Sequence, residues 1–498
     1  MHFLNRQIPV LPGEVLFDLI NRLDEPRFMG VPIGLTLTTH ISTGFPSNPV
    51  AALRAFLAWA RFYWVGPRKC LPLPKLERNR VLLTWLADTP RLNELVLPVL
   101  NELAQRSCEC NVIAGLPSLR SRLSPEVGFC TGYQICKVDM AAWRREYRQC
   151  CGLWHQQIRV WLREHRLSLW LFPYLAYAVA TRTLYVFGFF RFLEQVQPAV
   201  ILTDSEHGHP WACLILAARE LKIPTLQMMH GVIYSRYGYQ PLLSDVALCW
   251  GEQQKEQMIS FGTEPERLLL AGCQRLRRES SCDANDVRQR LGLPLKRPVV
   301  MLATNPMERN EWRKLVSVFG DAFRENGDVV AVVKLHPSEK RSNYCEEIAQ
   351  QSGIRFFEGS EWTVEESMAV CAVVVSHNSG LGNDALVLGR PVVLLDVLEE
   401  PLSNGRGLAD KAGCPVVKTT VDLRAVVLRI LSDEAYRLLL HAQAEKYVKW
   451  FCCAYGQEAA RNVACEVMKR RVSWQGRDMT YLQERGVVAG RSGVGDGK

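Results

Sequence analysis

Side chains able to do chemistry gather where apolar runs stop. The run VVAVVKL over 329–335 ends in His336-Pro337, and the run AVVV over 372–375 ends in Ser376-His377-Asn378-Ser379-Gly380. A near-continuous apolar run marks a strand buried on both faces, and in open parallel sheets the ligand lies beyond the carboxyl ends of such strands. Residues 381–388 read as a short helix closed by Gly389 and followed by a strand over 391–396. Ser379 or Asn378 then falls at the helix N-cap, Gly380 and Gly382 clear space, and unpaired amides face outward. Such a set suits a phosphate, with His336 nearby as hydrogen-bond donor or titratable partner.

Polar residues follow other strand-like runs in the same way. Thr203-Asp204-Ser205-Glu206-His207-Gly208-His209 follows the run over 199–203, His230-Gly231 follows 224–229, and Thr304-Asn305-Pro306 follows 299–303. Asp204, Glu206 and His230 are candidate general bases, and the sequence does not choose among them. Thr304 and Asn305 join His336, Pro337, Ser376, Asn378, Ser379 and Gly380 as candidate anion-binding residues. A metal at Glu206, His207 and His209 would need ligands that the sequence does not identify, so no metal and no cofactor are expected. Arg275, Arg277 and Arg278 could approach an anion, although a solvated charge run accounts for them better.

The elements that must position these residues alternate. Strands are expected from residue 80, at 111–114, 127–130, 199–203, 224–229 and 246–250. Helices are expected over 92–105, from 140 to about 166, on to about 195, and over 210–221. A linker near 273–286 precedes a second series with strands at 299–303, ending at 336, near 357 and ending at 376, and a helix over about 311–326. After Asp396 come a glycine-containing loop at 402–407 and terminal helices over about 432–471. The expected class is α/β, with two Rossmann-like doubly wound domains facing a cleft. The expected divisions are an N-terminal helical extension over 1–78, domains over 79–275 and 283–455, a terminal helix over 456–471 and a disordered tail over 472–498.

At 498 residues the chain exceeds the size at which one core stops growing, and 48% hydrophobic with 22% charged residues is ordinary for a globular enzyme. Its 17 cysteines are scattered without zinc spacing, which suits reduced, buried thiols in a cytoplasmic protein. No signal peptide opens the chain, and the most apolar stretch, 167–192, is interrupted by Pro173, Arg182 and Arg191, so a buried aromatic helix pair is expected rather than a span. The net charge of +9 is concentrated over 53–80, where Arg54, Arg61, Arg68, Lys69, Lys75, Arg78 and Arg80 interleave with aromatics. That pattern suits an anionic membrane surface, or a helix packing its aromatics on a neighbouring domain. Nucleic acid is not an expected partner, because no binding motif accompanies the charge.

Together, QMMHG (227–231), KLHP (334–337) and SHNSGLGNDALVLGRPVV (376–393) resemble bacterial GT-B glycosyltransferases of surface polysaccharide synthesis. The likeness is to the group of CDP-glycerol glycerophosphotransferases and polysialyltransferases, with their HP and later serine motifs. AGCQR (271–275) resembles the GNPR linker of that group, departing at Cys273 and Gln274. The resemblance covers about 80–471. It implies a nucleotide-sugar donor whose phosphates sit against His336 and Ser376 to Ser379. It also implies a glycan or lipid-linked acceptor, His230 as base or acceptor-side catalyst, and Asp204 or Glu206 where polysialyltransferases place an acid. The expected reaction is metal-independent glycosyl transfer, with inversion, at the inner face of the cytoplasmic membrane. Three other readings stay open: a UDP-N-acetylglucosamine 2-epimerase type of isomerase, a glycerophosphotransferase, and a non-catalytic nucleotide- or glycan-binding protein. The epimerase type places a histidine where Thr304-Asn305-Pro306 stands and an acid where His230 stands.

Overall fold

A computed structural model describes residues 13–37, 57, 76–135, 139–207, 210–233, 236, 238–280, 282–324, 327–349, 351, 353–399 and 402–475. Seven strands form the first sheet: β1 (Val81–Trp85), β2 (Cys110–Ala114), β3 (Gly128–Thr131), β4 (Val200–Thr203), β5 (Thr225–Met228), β6 (Val246–Cys249) and β7 (Leu268–Leu270). Their order is β3-β2-β1-β4-β5-β6-β7, and every pair is parallel. Six more form the second: β8 (Val299–Ala303), β9 (Val330–Lys334), β10 (Arg355–Phe357), β11 (Cys371–Ser376), β12 (Val392–Leu395) and β13 (Val416–Val417). They run β10-β9-β8-β11-β12-β13, again all parallel. In each sheet the order reverses beside the first strand, between β1 and β4 and between β8 and β11. A reversal of this kind opens a crevice at the carboxyl end.

Alternation along the strands splits each core into two layers. Leu82, Ile113 and Ile201 pack with helices Met140–Glu164, Phe172–Val196 and Trp211–Glu220 on one face of the first sheet. Val81, Leu83, Val112 and Leu202 pack with helix Pro90–Gln105 on the other. In the second sheet Met301, Val332 and Val374 face one layer, and Leu302, Val333 and Val375 the other. The aromatic stretch read as a buried pair is one: helix Phe172–Val196 is buried along most of its length and packs against 140–164. Helix Gly13–Arg22 and Phe28, Val31 and Ile33 pack onto this same layer.

Helix Gly456–Gln475 leaves the second lobe and returns to the first, where Ala460, Val463, Ala464 and Val467, spaced to share one helical face, pack beside helix 90–105. The crossing is tight. Cys273 bridges to Tyr455, and Gly272, at φ +85°, lies where a Cβ would meet the Ala454 carbonyl oxygen at 2.3 Å. The linker therefore requires glycine there.

Several elements differ from the sequence reading. Residues 402–407 are not a loop, because helix Ser403–Ala412 forms there despite its glycines, with Leu408 and Ala412 buried against the second sheet and Gly413, at φ +66°, ending it. Helices Glu252–Ser260 and Ala284–Arg290 and strand β7 were not expected. The helix reaches Gln475, inside the stretch expected to be disordered, and 476–498 lie outside the described residues. So do Arg54, Arg61, Arg68, Lys69 and Lys75 of the proposed membrane stretch; among the described residues no helix is long and apolar enough to cross a membrane. The described cysteines are all free, most of them buried.

Candidate functional site

The register aligns the strand tips of the second lobe. Ser376 pairs with Ala303, and Ala303 with Lys334, so Thr304-Asn305, His336 and His377-Asn378 emerge from one row of three adjacent strands. Neighbouring strands lie about 4.8 Å apart, which spreads these tips over roughly 10 Å, the scale of a diphosphate. Glu339, three residues past His336, organises the β9 side. Its buried carboxylate accepts from Thr304 Oγ1 at 2.6 Å, His336 N at 2.8 Å and Tyr344 OH at 2.9 Å. The Ser338 amide donates to His336 Nδ1 at 3.2 Å, so the neutral ring carries its proton on Nε2 and offers that N–H as a donor. Burial and the Arg91 charge hold the His336 pKa below its ordinary value, with Glu339 opposing them.

Across the crevice, Ser376, Asn378 and Ser379 are buried. Ser376 Oγ accepts from Ser379 N at 3.1 Å and Ser379 Oγ from Leu381 N at 3.4 Å, so the turn is shaped by its own amides. Neither Asn378 nor Ser379 is the N-cap of the following helix. Gly380 holds that position, in αR geometry and without a side-chain cap, because the chain is already helical there. No hydrogen bond joins Thr304 or Asn305 to 376–379 among the described residues, and Asn305 Oδ1 is buried without a partner. Pro337 is exposed at its strand tip, with its Cα 2.9 Å from where a Cβ on Gly359 would stand. Arg275 is partly buried and paired with Asp384 through two bonds of 3.0 and 3.1 Å, while Arg278 pairs with Glu445 at 2.8 Å.

In the first lobe the crevice is laced shut. Asp204, fully buried, accepts from Thr84 Oγ1 and from Leu86 N, both at 2.7 Å, which joins the tips of β4 and β1. Burial pushes its pKa up to about 6 against those hydrogen bonds. Beneath it runs a buried polar row, Thr84, Thr203 and Gln227, with Thr84 and Thr203 bonded at 2.9 Å and both Gln227 amide atoms unpartnered among the described residues. Glu206, also fully buried, accepts from Leu243 N at 2.8 Å and Ser244 N at 2.7 Å, with His207 Nε2 at 3.3 Å. Burial raises its pKa, yet His207 and the amides outweigh that and hold it low. Both oxygens accept backbone amides, so Glu206 anchors the loop at 243–244. His209 lies outside the described residues.

His230 is different. It is partly exposed, stacks on Tyr239 at 5.7 Å and 15°, and its Nδ1 has no hydrogen-bond partner among the described residues. Its carbonyl accepts from Arg91 Nε at 2.8 Å, and a Cβ on Gly231 would lie 1.9 Å from an Arg91 Nη, so a side chain there would displace the guanidinium. Burial first, then the Arg91 charge, pull the His230 pKa down to about 4. Arg91 sits in the first turn of helix 90–105, exposed, within electrostatic reach of both His230 and His336. Glu94, one turn on, faces Arg275, Arg277 and Asp384 at similar range. Sequence reasoning missed Arg91 and Glu339. Glu339 carries a signal, an acid three residues after a strand-tip histidine, whereas Arg91 carries none.

No protein-family model matches the chain, and no curated protein sequence does. Solved structures do resemble it. A protein from Listeria monocytogenes described as a UDP-N-acetylglucosamine 2-epimerase aligns at TM-score 0.50 and 13% identity over 80% of this chain and 98% of its own. A glycosyltransferase from Rickettsia africae aligns at 0.47 and 10% over 81% and 100%. An Anabaena protein solved with UDP-glucose aligns at 0.48 and 12% over 78% and 99%. At these identities the likeness is one of fold, and with the two parallel sheets it identifies the architecture as GT-B.

Proposed function

We propose that this protein transfers a sugar from a nucleotide-activated donor, held by the second lobe, to a hydroxyl of a glycan or lipid-linked acceptor lodged against the first. The observation that carries the reading is Arg91, one exposed guanidinium fixed to the His230 carbonyl and within electrostatic reach of both histidines. A cation so placed between the two lobes suits a diphosphate. His336 Nε2–H, the 376–380 turn and Asn305 would hold its oxygens, and Arg91 would offset the charge gathered by the departing phosphate.

His230 would take the proton of the acceptor hydroxyl as that oxygen attacks the anomeric carbon and the bond to phosphate breaks. Its low pKa keeps the ring neutral at pH 7 but makes it a weak base. A bound diphosphate answers the Arg91 charge, removes one of the causes of that depression and strengthens the base when donor is present. One displacement at one carbon gives inversion. The motif resemblance supports an acceptor of bacterial surface polysaccharide type. An epimerase would have to work without the histidine that its type places at Thr304 to Pro306, and Thr304 here is bound to Glu339.

CMP-, CDP-, UDP- and GDP-linked sugars, tested by thermal shift, should include one that raises the melting temperature, with the rise lost in His336→Ala. That donor should turn over only with acceptor. If none of the four classes shifts the transition, the reading fails. A donor that binds but is not turned over with any acceptor points to a binding protein, and one interconverted without acceptor points to an isomerase.

A further inference from the structure

Helix Phe172–Val196 buries a cation. Arg182 is 3% exposed, its Nη1 has no hydrogen-bond partner, and no carboxylate pairs with it among the described residues. Arginine cannot shed its proton to escape burial, and a buried charge left unpaired is strongly destabilising. Nearby features are positive or neutral. Cys213, in the first turn of helix Trp211–Glu220, donates its thiol to the Arg182 carbonyl at 3.7 Å and lies near the guanidinium, and that helix start has no side-chain cap. Helix N-termini carry partial positive charge. Tyr174, Tyr177 and Tyr185, half-buried on the same helix, lie at electrostatic range of the guanidinium.

A buried cation beside a helix start, with tyrosines at electrostatic range and no carboxylate paired with it among the described residues, suits an anion supplied from outside. We infer that Arg182 anchors an oxyanion of the acceptor, a phosphate or a carboxylate, while the tyrosine faces pack the adjoining sugar or hydrocarbon. The inference rests on the transferase reading for the word acceptor, and on geometry alone for the anion. The place fits: helix 211–220 begins just past the β4 tip that carries Asp204 and Glu206, so the subsite lies toward the carboxyl end of the first sheet.

The test uses the full chain with inorganic phosphate and glucuronate as separate probes, read by calorimetric titration and thermal shift, on wild type and on Arg182→Met and Arg182→Gln. Wild type should bind at least one probe, and both variants should bind it at least tenfold more weakly. Without probe, Arg182→Met should melt at or above wild type, since it removes an unpaired charge and keeps most of the volume. A response to phosphate alone assigns a phosphorylated acceptor, and one to glucuronate alone an acidic sugar. No response in wild type, or an equal response in the variants, overturns the inference, as does a large loss of melting temperature in both variants. Nucleotide-sugar binding by Arg182→Met should stay intact. If no nucleotide binds to any form while the phosphate response follows Arg182, the transferase reading falls and the anion site stands.

Discussion

The two lobes share a topology and use its crevice in opposite ways. Between β1 and β4 the reversal is bridged by a carboxylate, Asp204 to the Leu86 amide, and the loop beyond is fixed by Glu206 on two more amides. Between β8 and β11 no hydrogen bond joins Thr304 or Asn305 to 376–379 among the described residues, and Asn305 Oδ1 is left buried and unpartnered. The same fold thus bridges the reversal with a carboxylate in one half and leaves it unbridged by Thr304 and Asn305 in the other. Acids that read from sequence as catalysts can be the means of closure, while the histidine one strand further out, at the β5 tip, stays accessible.

The widest gap between these roles should appear on substituting His230 and Glu206. His230→Ala should lower turnover 10²–10⁴-fold, the usual worth of a general base, with little change in urea midpoint. Glu206→Ala should do the reverse. It strands the Leu243 and Ser244 amides in the core, and loss of one member of such a buried set costs about 3–5 kcal/mol. Chemical denaturation alongside initial rates reads both. If Glu206→Ala folds normally and loses only rate, the division between the lobes is wrong.

The pH dependence of stability sharpens the same contrast. The His230 pKa falls from 6.5 to about 4 on folding, so between those values the unfolded chain binds more protons and stability rises with pH, by about 3 kcal/mol in total. Asp204 goes the other way. Its pKa rises from 3.8 to about 6, so the folded chain binds more protons in that window and stability falls with pH by a similar amount. The two nearly cancel in wild type. His230→Gln should therefore become less stable as pH climbs from 4 to 6, and Asp204→Asn more stable. Parallel profiles for the two variants would contradict opposite roles.

Much of this architecture was legible because each central strand is apolar on both faces and ends abruptly in polar residues. β8, β9 and β11, and the rows they carry, follow from that pattern. What stayed hidden depended on distant partners. Asp204 and Glu206 look like catalysts in sequence, since nothing local shows that the amides of Leu86, Leu243 and Ser244 will reach them. Arg275 looks solvated until helix 381–387 brings Asp384 to it, and Arg91 gains meaning only when its helix start is laid between the lobes. Helix 403–412 was missed because burial of Leu408 and Ala412 overrides the weak propensity of its glycines.

The smallest predicted effect separates a cap from a ligand contact. If Ser379 capped the helix, alanine there would cost about 1 kcal/mol. The chain instead enters the helix through Gly380, and the Leu381 amide reaches the Ser379 hydroxyl at a long 3.4 Å. Ser379→Ala should then cost well under about 1 kcal/mol in a denaturant titration. If the open crevice of the second lobe takes the donor phosphates, the same substitution should weaken donor binding several-fold. A full cap-sized loss of stability with unchanged donor affinity would make the 376–380 turn structural, and the second lobe would then resemble the first in using its polar tips for closure.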